Sequence, residues 1–148
     1  MASYKPVAKA KPYPNVSRLL VDEQFKIWLP DFNNLEIVLT PLPKTLYLFI
    51  LKNPKGVLLK ELPQHRKELL SIYAKTGNRL NLDQMKKSIN DMTDIRSNSI
   101  HEKCSRIRAA FTSRLPESNA THYCIQGSRN QPKKILLHSS LIILPDNI

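Results

Sequence analysis

Glycine is scarce in this chain, at three of 148 residues, which excludes a glycine-rich loop of the kind that cradles nucleotide phosphates. Negative charge is also short: 12 Asp and Glu stand against 23 Lys and Arg, a formal charge of +11, so the expected partners are anions such as nucleic acid or an acidic membrane surface. Cys104 and Cys124 are too few and too distant to form a disulfide framework, and two reduced, half-buried thiols are expected. Long apolar runs are missing as well. Pro6, Pro12, Pro14 and Asn15 interrupt the N-terminal stretch, so neither a signal peptide nor a membrane span is expected, and the chain reads as soluble and cytoplasmic. No His-Glu-x-x-His, nucleophile elbow or paired-carboxylate arrangement is present, so the chain reads as not an enzyme, with no cofactor.

Hydrophobic residues make up 41% of the chain, enough for one core, and one domain is the expectation. The first twenty or so residues carry Lys5, Lys9, Lys11 and Arg18 with no acid and three prolines. This composition describes a basic flexible arm over 1–24, ahead of a folded domain over 25–148. From Phe25 the pattern alternates: Phe25, Ile27 and Leu29, then turn residues Asp31 to Asn34, then Leu35, Ile37 and Leu39. A β-hairpin is predicted there. Thr40-Pro41 is a helix start, the threonine hydroxyl being able to accept a free N–H and proline having none to strand. The helix that follows to about Lys52 is apolar nearly all round, which predicts a central position.

After Asn53-Pro54-Lys55-Gly56, a second helix is predicted from Lys60 or Pro63 to Lys75, with Leu62, Leu69, Leu70 and Tyr73 inward. Asn81 can cap a third helix on Leu82, Met85, Ile89 and Met92, with Lys86 and Lys87 outward. A fourth helix runs from Asp94–Asn98 to about Arg114 on the stripe Ile100, Cys104, Ile107 and Phe111. Strands are predicted at Tyr123–Gln126, Ile135–Leu137 and Leu141–Leu144, the first two around a Gly127–Lys134 loop. The predicted class is α+β.

Three segments carry a resemblance: Leu39-Thr40-Pro41 with Leu48, the run Lys52 to Val57 and Leu62; the run Asn98 to Arg108; and Ile125-Gln126-Gly127. Together the region from about Phe25 to Leu144 resembles the winged-helix effector domain of the OmpR/PhoB-type response regulators. The resemblance implies a winged helix-turn-helix with an N-terminal hairpin, a helical core with one extra helix, and a C-terminal hairpin as wing. It further implies sequence-specific binding to double-stranded DNA and a role in transcription regulation, with Asn98–Arg108 as the recognition helix. The sequence holds no receiver domain, so phosphorylation control is not implied. Asn98 stands where the family usually has a basic residue, Glu102 adds an acid, and the wing loop is longer. The Leu80–Met92 helix enlarges what in the family is a loop that sometimes contacts RNA polymerase.

The candidate DNA-binding residues are Asn98, Ser99, Glu102, Lys103, Arg106 and Arg108 on the helix, with Arg129, Lys133 and Lys134 in the wing. Lys103 and Arg106 can pair with guanine in the major groove, and Asn98 or Ser99 can hold a phosphate or a base edge. The wing cations suit phosphate or the minor groove. Competing readings stand beside these. The five basic residues between Arg96 and Arg114 also fit a solvated face. Glu102 has capping-box spacing from Ser99, which favours a helix cap over a contact to cytosine. His101, Cys104, His122 and Cys124 form a Cys2His2 set, but their spacing fits no familiar zinc module and Cys104 belongs to the apolar stripe, so no metal is expected. His65 and His138 read as surface residues. The alternative function is a protein-protein interaction adaptor working through the 80–94 segment, and RNA binding is disfavoured by the lack of an aromatic platform.

Overall fold

Alternation of apolar side chains at the N-terminal end builds a small sheet. In the computed structural model, which describes residues 15–77 and 79–148, strands β1 (Leu19–Val21), β2 (Ile27–Leu29) and β3 (Leu35–Ile37) form an antiparallel meander. Leu19, Val21, Ile27, Leu29 and Ile37 are its buried face. Asn33 and Asn34 make the β2–β3 turn with φ of 56° and 53°, the left-handed region that asparagine tolerates best after glycine. Phe25, expected in a strand, instead makes the β1–β2 turn with φ of 63° while its ring stays buried. The backbone N–H and the guanidinium of Arg18 both donate to the Asp31 carboxylate at 2.9–3.0 Å, tying the start of β1 to the turn after β2. These hydrogen bonds hold the Asp31 carboxyl down at about 2.

The segment assigned by sequence to a flexible arm therefore needs correction over 15–24, because β1 is an interior strand of the sheet. On its outer side it pairs in parallel with β6 (Ile142–Ile143), giving the order β3-β2-β1-β6. Residues 1–14 of the expected arm lie outside the described residues.

Helix α1 (Pro41–Leu51) takes the central position that its composition predicts: Leu46 through Leu51 are all buried. Its expected side-chain cap is absent. Thr40 sits at the cap position without a side-chain bond; of the two N–H groups such a cap can use, the one at the third helical residue is missing because that residue is Pro43, which leaves only that of Leu42. A 3-10 segment (Leu59–His65) leads into α2 (Arg66–Lys75), and His65 is half-buried with its ring 5.1 Å from that of Phe49, not on the open surface. Helix α3 (Leu82–Thr93) starts with a reciprocal capping box: the Gln84 N–H donates to Asn81 Oδ1 at 2.8 Å, and the Asn81 N–H donates to Gln84 Oε1 at 3.0 Å. Replacing Asn81 by alanine is expected to cost about 1 kcal/mol of stability in urea unfolding, with amide exchange quickening first over Leu82–Met85.

Helix α4 (Ser99–Thr112) packs on α1 and α3, and a short α5 (Glu117–Ala120), not foreseen from sequence, turns the chain toward a two-stranded hairpin. That hairpin consists of β4 (Ile125–Gln126) and β5 (Lys134–Ile135). At the centre Phe111 stacks on Tyr123 at 5.4 Å and lies 5.5 Å from Tyr47. The Tyr47 hydroxyl donates to the Tyr123 carbonyl (2.7 Å), while Tyr123 Oη accepts from the Ser17 N–H (2.7 Å) and donates to the Ser17 carbonyl (3.0 Å). Burial pushes the Tyr123 phenol up to about 12 and raises that of Tyr47 well above its ordinary value, so both remain hydroxyl donors. Among the described residues no helix is long and apolar enough to cross a membrane.

Candidate nucleic-acid interface

Helix α4 is anchored by Ile100, Ile107 and Phe111, all buried, with Cys104 half-buried on the same side. At about 100° per residue this stripe leaves Glu102, Ser105, Arg106 and Ala109 on the far side and His101 and Arg108 on one flank, and all six are exposed. His101 and Ser105 are additions to the residues picked from sequence. On the helical wheel Ser105 lies roughly 130° and His101 roughly 90° from the apolar stripe, and neither carries the positive charge that marks the other candidates.

Lys103 moves the other way. Its side chain is only 14% exposed and its ammonium donates to Glu102 Oε1 at 3.2 Å. It lines a recess of about 320 Å³ beside Pro41, Pro43 and Tyr73, at the start of α1. Its place on the wheel lies between the buried stripe and the open face, so packing of α4 on α1 covers it. Lys103 is thereby withdrawn from the outer face, whereas Arg106, on the rim of the same recess, stays exposed. The expected Ser99–Glu102 cap is not made either: the Glu102 carboxylate is engaged by Lys103, and the Ser99 N–H donates to Ser97 Oγ at 3.3 Å. Asn98 is exposed at the cap position without a side-chain bond, and Ser99 is half-buried.

The β4–β5 hairpin lies alongside α4. Burial pushes the Cys104 thiol up to about 11, opposed by the nearby charge of Lys133; burial likewise raises Cys124, opposed by Arg108. Each thiol thus senses a cation from the other element, which places Arg108 toward β4 and Lys133 toward α4. Both cysteines are free, and thiols raised this way stay protonated and unreactive at neutral pH. The Cys2His2 set is not assembled: among the described residues no group of three or more His, Cys, Asp or Glu is able to hold a metal ion.

Beyond β4 the loop is held from both sides. Val57 and Lys133 exchange backbone hydrogen bonds of 2.9 and 2.8 Å, so the turn after α1 adds a third, one-residue rung to the hairpin. Lys133 Nζ also donates to the Gly127 carbonyl, which closes the loop and commits that ammonium to the hairpin itself. Arg129 and Lys134 are exposed. The side chains of Arg106, Arg108, Arg129 and Lys134 make no hydrogen bond or ion pair among the described residues. Acids are sparse around them: the sequence from Lys103 to Leu144 contains only Glu117. Desolvating these cations against an anion therefore breaks no existing pair.

The nine residues selected from sequence divide accordingly. Arg106, Arg108, Arg129 and Lys134 are all exposed, with Arg106 on the side of α4 toward the start of α1 and Arg108 roughly 160° away around the helix, toward the hairpin; Asn98 and Glu102 are exposed at the start of α4; Ser99, Lys103 and Lys133 are half-buried and structurally occupied. No protein-family model, curated protein or solved structure matches the chain.

Proposed function

We propose that this chain is a non-catalytic winged-helix module that binds double-stranded DNA, with α4 in the major groove and the β4–β5 hairpin as the wing. The observation that carries this reading is the pairing of an exposed helix face with a neighbouring hairpin, both bearing uncommitted arginine or lysine and almost no acid. A helix of α-helical diameter fits the major groove, and a hairpin projecting beside it meets the flanking backbone. Arg106 is the base-reading candidate, since a guanidinium pairs bidentately with guanine O6 and N7, and Arg108, on the flank toward the hairpin, is placed for the adjoining base edge or phosphate. Arg129 and Lys134 supply sequence-independent affinity by displacing counterions from phosphates. His101 and Ser105 between them can touch either base edges or phosphate. The module would regulate transcription by occupying its site.

The test is selection of bound duplexes from a randomised library followed by sequencing, at two salt concentrations. Wild type is expected to enrich a motif, and Arg106→Ala with Arg108→Ala is expected to lose it, weakening the best site about tenfold to a hundredfold. Arg129→Ala and Lys134→Ala should instead weaken all duplexes alike and reduce the slope of log affinity against log salt by about 0.9 per contact removed. No enriched sequence, or a motif that survives loss of both helix arginines, sinks the reading.

A further inference from the structure

We propose that the groove between α2 and α3 is a second binding site, for an acidic peptide segment that seats one large apolar side chain between the two helices. The groove is a cavity of about 280 Å³ lined by Arg66, Lys67, Leu70, Lys86, Ile89 and Asn90. Its floor is apolar, from Leu70 and Ile89, and its rim is cationic, with no acid lining it. The volume falls at the small end of cavities that hold a ligand and suits a single side chain.

The rim is partly preorganised. Arg66 Nε donates to Thr93 Oγ1 at 2.7 Å and Nη2 to the Asn90 carbonyl at 3.4 Å, which fixes the guanidinium across the junction of the two helices. Thr93 is itself anchored to the Ile89 carbonyl at 2.7 Å. Lys67 and Lys86 are exposed on opposite helices and make no ion pair among the described residues. The Asn90 side-chain amide also makes no hydrogen bond there and is free to meet a ligand main chain. The neighbouring recess does contain acids, Asp91 and Asp94, but Asp94 is committed to Arg96 at 3.1 Å.

Charge complementarity selects the occupant. A phosphate backbone would use the cations and leave the Leu70–Ile89 floor uncovered, whereas an acidic segment with a Leu, Phe or Trp uses both. Such an apolar anchor flanked by charge is how amphipathic segments dock into helical grooves. The site is separate from the α4 face, so its test does not depend on DNA binding.

A displayed library of random 12-residue peptides would be selected on the whole protein and counter-selected on the Lys67→Glu, Lys86→Glu double variant. Both changes are at exposed positions and leave the core intact. The expected outcome is enrichment of peptides with Asp or Glu flanking one large apolar residue. Synthetic copies should lose about tenfold to a hundredfold in affinity when that residue becomes alanine, and at least tenfold against the double variant. Amide shifts in nuclear magnetic resonance spectra should centre on Leu70, Ile89 and Asn90. The proposal is overturned by absence of enrichment, by peptides indifferent to the apolar residue, or by binding that survives the double variant and disappears with Arg106→Ala and Arg108→Ala. Loss of duplex DNA affinity in the double variant without any loss of peptide affinity would also overturn it, assigning these cations to nucleic acid.

Discussion

A chain carrying Phe111→Ala is expected to lose about 3–5 kcal/mol of stability, a large part of the roughly 5–15 kcal/mol that holds a domain together. Phe111 is fully buried where three parts of the molecule meet. Its ring stacks on Tyr123 from the segment before the hairpin, leans on Tyr47 of α1, and fixes the C-terminal half of α4. Truncation opens a cavity that the two tyrosines cannot fill, because each hydroxyl is tethered: Tyr47 to the Tyr123 carbonyl, Tyr123 to Ser17. Collapse into the void would break a buried hydrogen bond, so the packing loss is only partly recovered. Trp28, the one tryptophan, provides the fluorescence signal for urea unfolding. The midpoint should fall without a change in slope, and the melting temperature should drop by roughly 10 °C. A loss below about 1 kcal/mol would show that the aromatic stack is not the centre of the core.

Gly56→Ala should release the hairpin from the body of the domain at a cost of about 1–3 kcal/mol. Gly56 has φ of 92°, a conformation in which an L side chain is strained. An added Cβ would also lie 2.7 Å from Pro132 Cβ and 3.1 Å from the Lys133 carbonyl oxygen. The second contact is with backbone, so relief requires the hairpin to move and the Val57–Lys133 rung to open. Faster hydrogen exchange of the Val57 and Lys133 amides measures this directly, and unchanged protection would refute it. On the proposed DNA-binding reading the displaced hairpin should take Arg129 and Lys134 with it, lowering the salt slope of duplex binding by up to about two.

Gly56 also illustrates where sequence and structure part. Its position after Asn53-Pro54-Lys55 identifies a helix stop from composition alone, but the requirement for a missing Cβ comes from Pro132 and Lys133, far along the chain. The same division runs through the candidate site. Periodicity places Ile100, Cys104, Ile107 and Phe111 on one side of α4, and the cations of the helix and hairpin are plain in the sequence. Rotation of the helix relative to α1 is not, and that rotation turns Lys103 inward beside Pro41 and Tyr73 while leaving Arg106 open. At the start of α1 the local rule itself misled: Thr40 has the right chemistry for a cap, but Pro43 removes one of the two donors it can use and the bond is not made.

By itself the sequence determined the features that short-range physics governs: the β2–β3 hairpin with its turn over Asp31–Asn34, the central burial of α1, the cap of α3 at Asn81, and an excess of positive charge. These follow from side-chain period, local hydrogen bonding and composition, which need only a few neighbouring residues. Tertiary structure alone decided that Leu19–Val21 is an interior strand completed by Ile142–Ile143, that Lys133 closes the hairpin loop, and that α2 and α3 enclose a cationic groove. In each case the partner comes from a remote segment, and a residue's exposure depends on which remote surface packs against it.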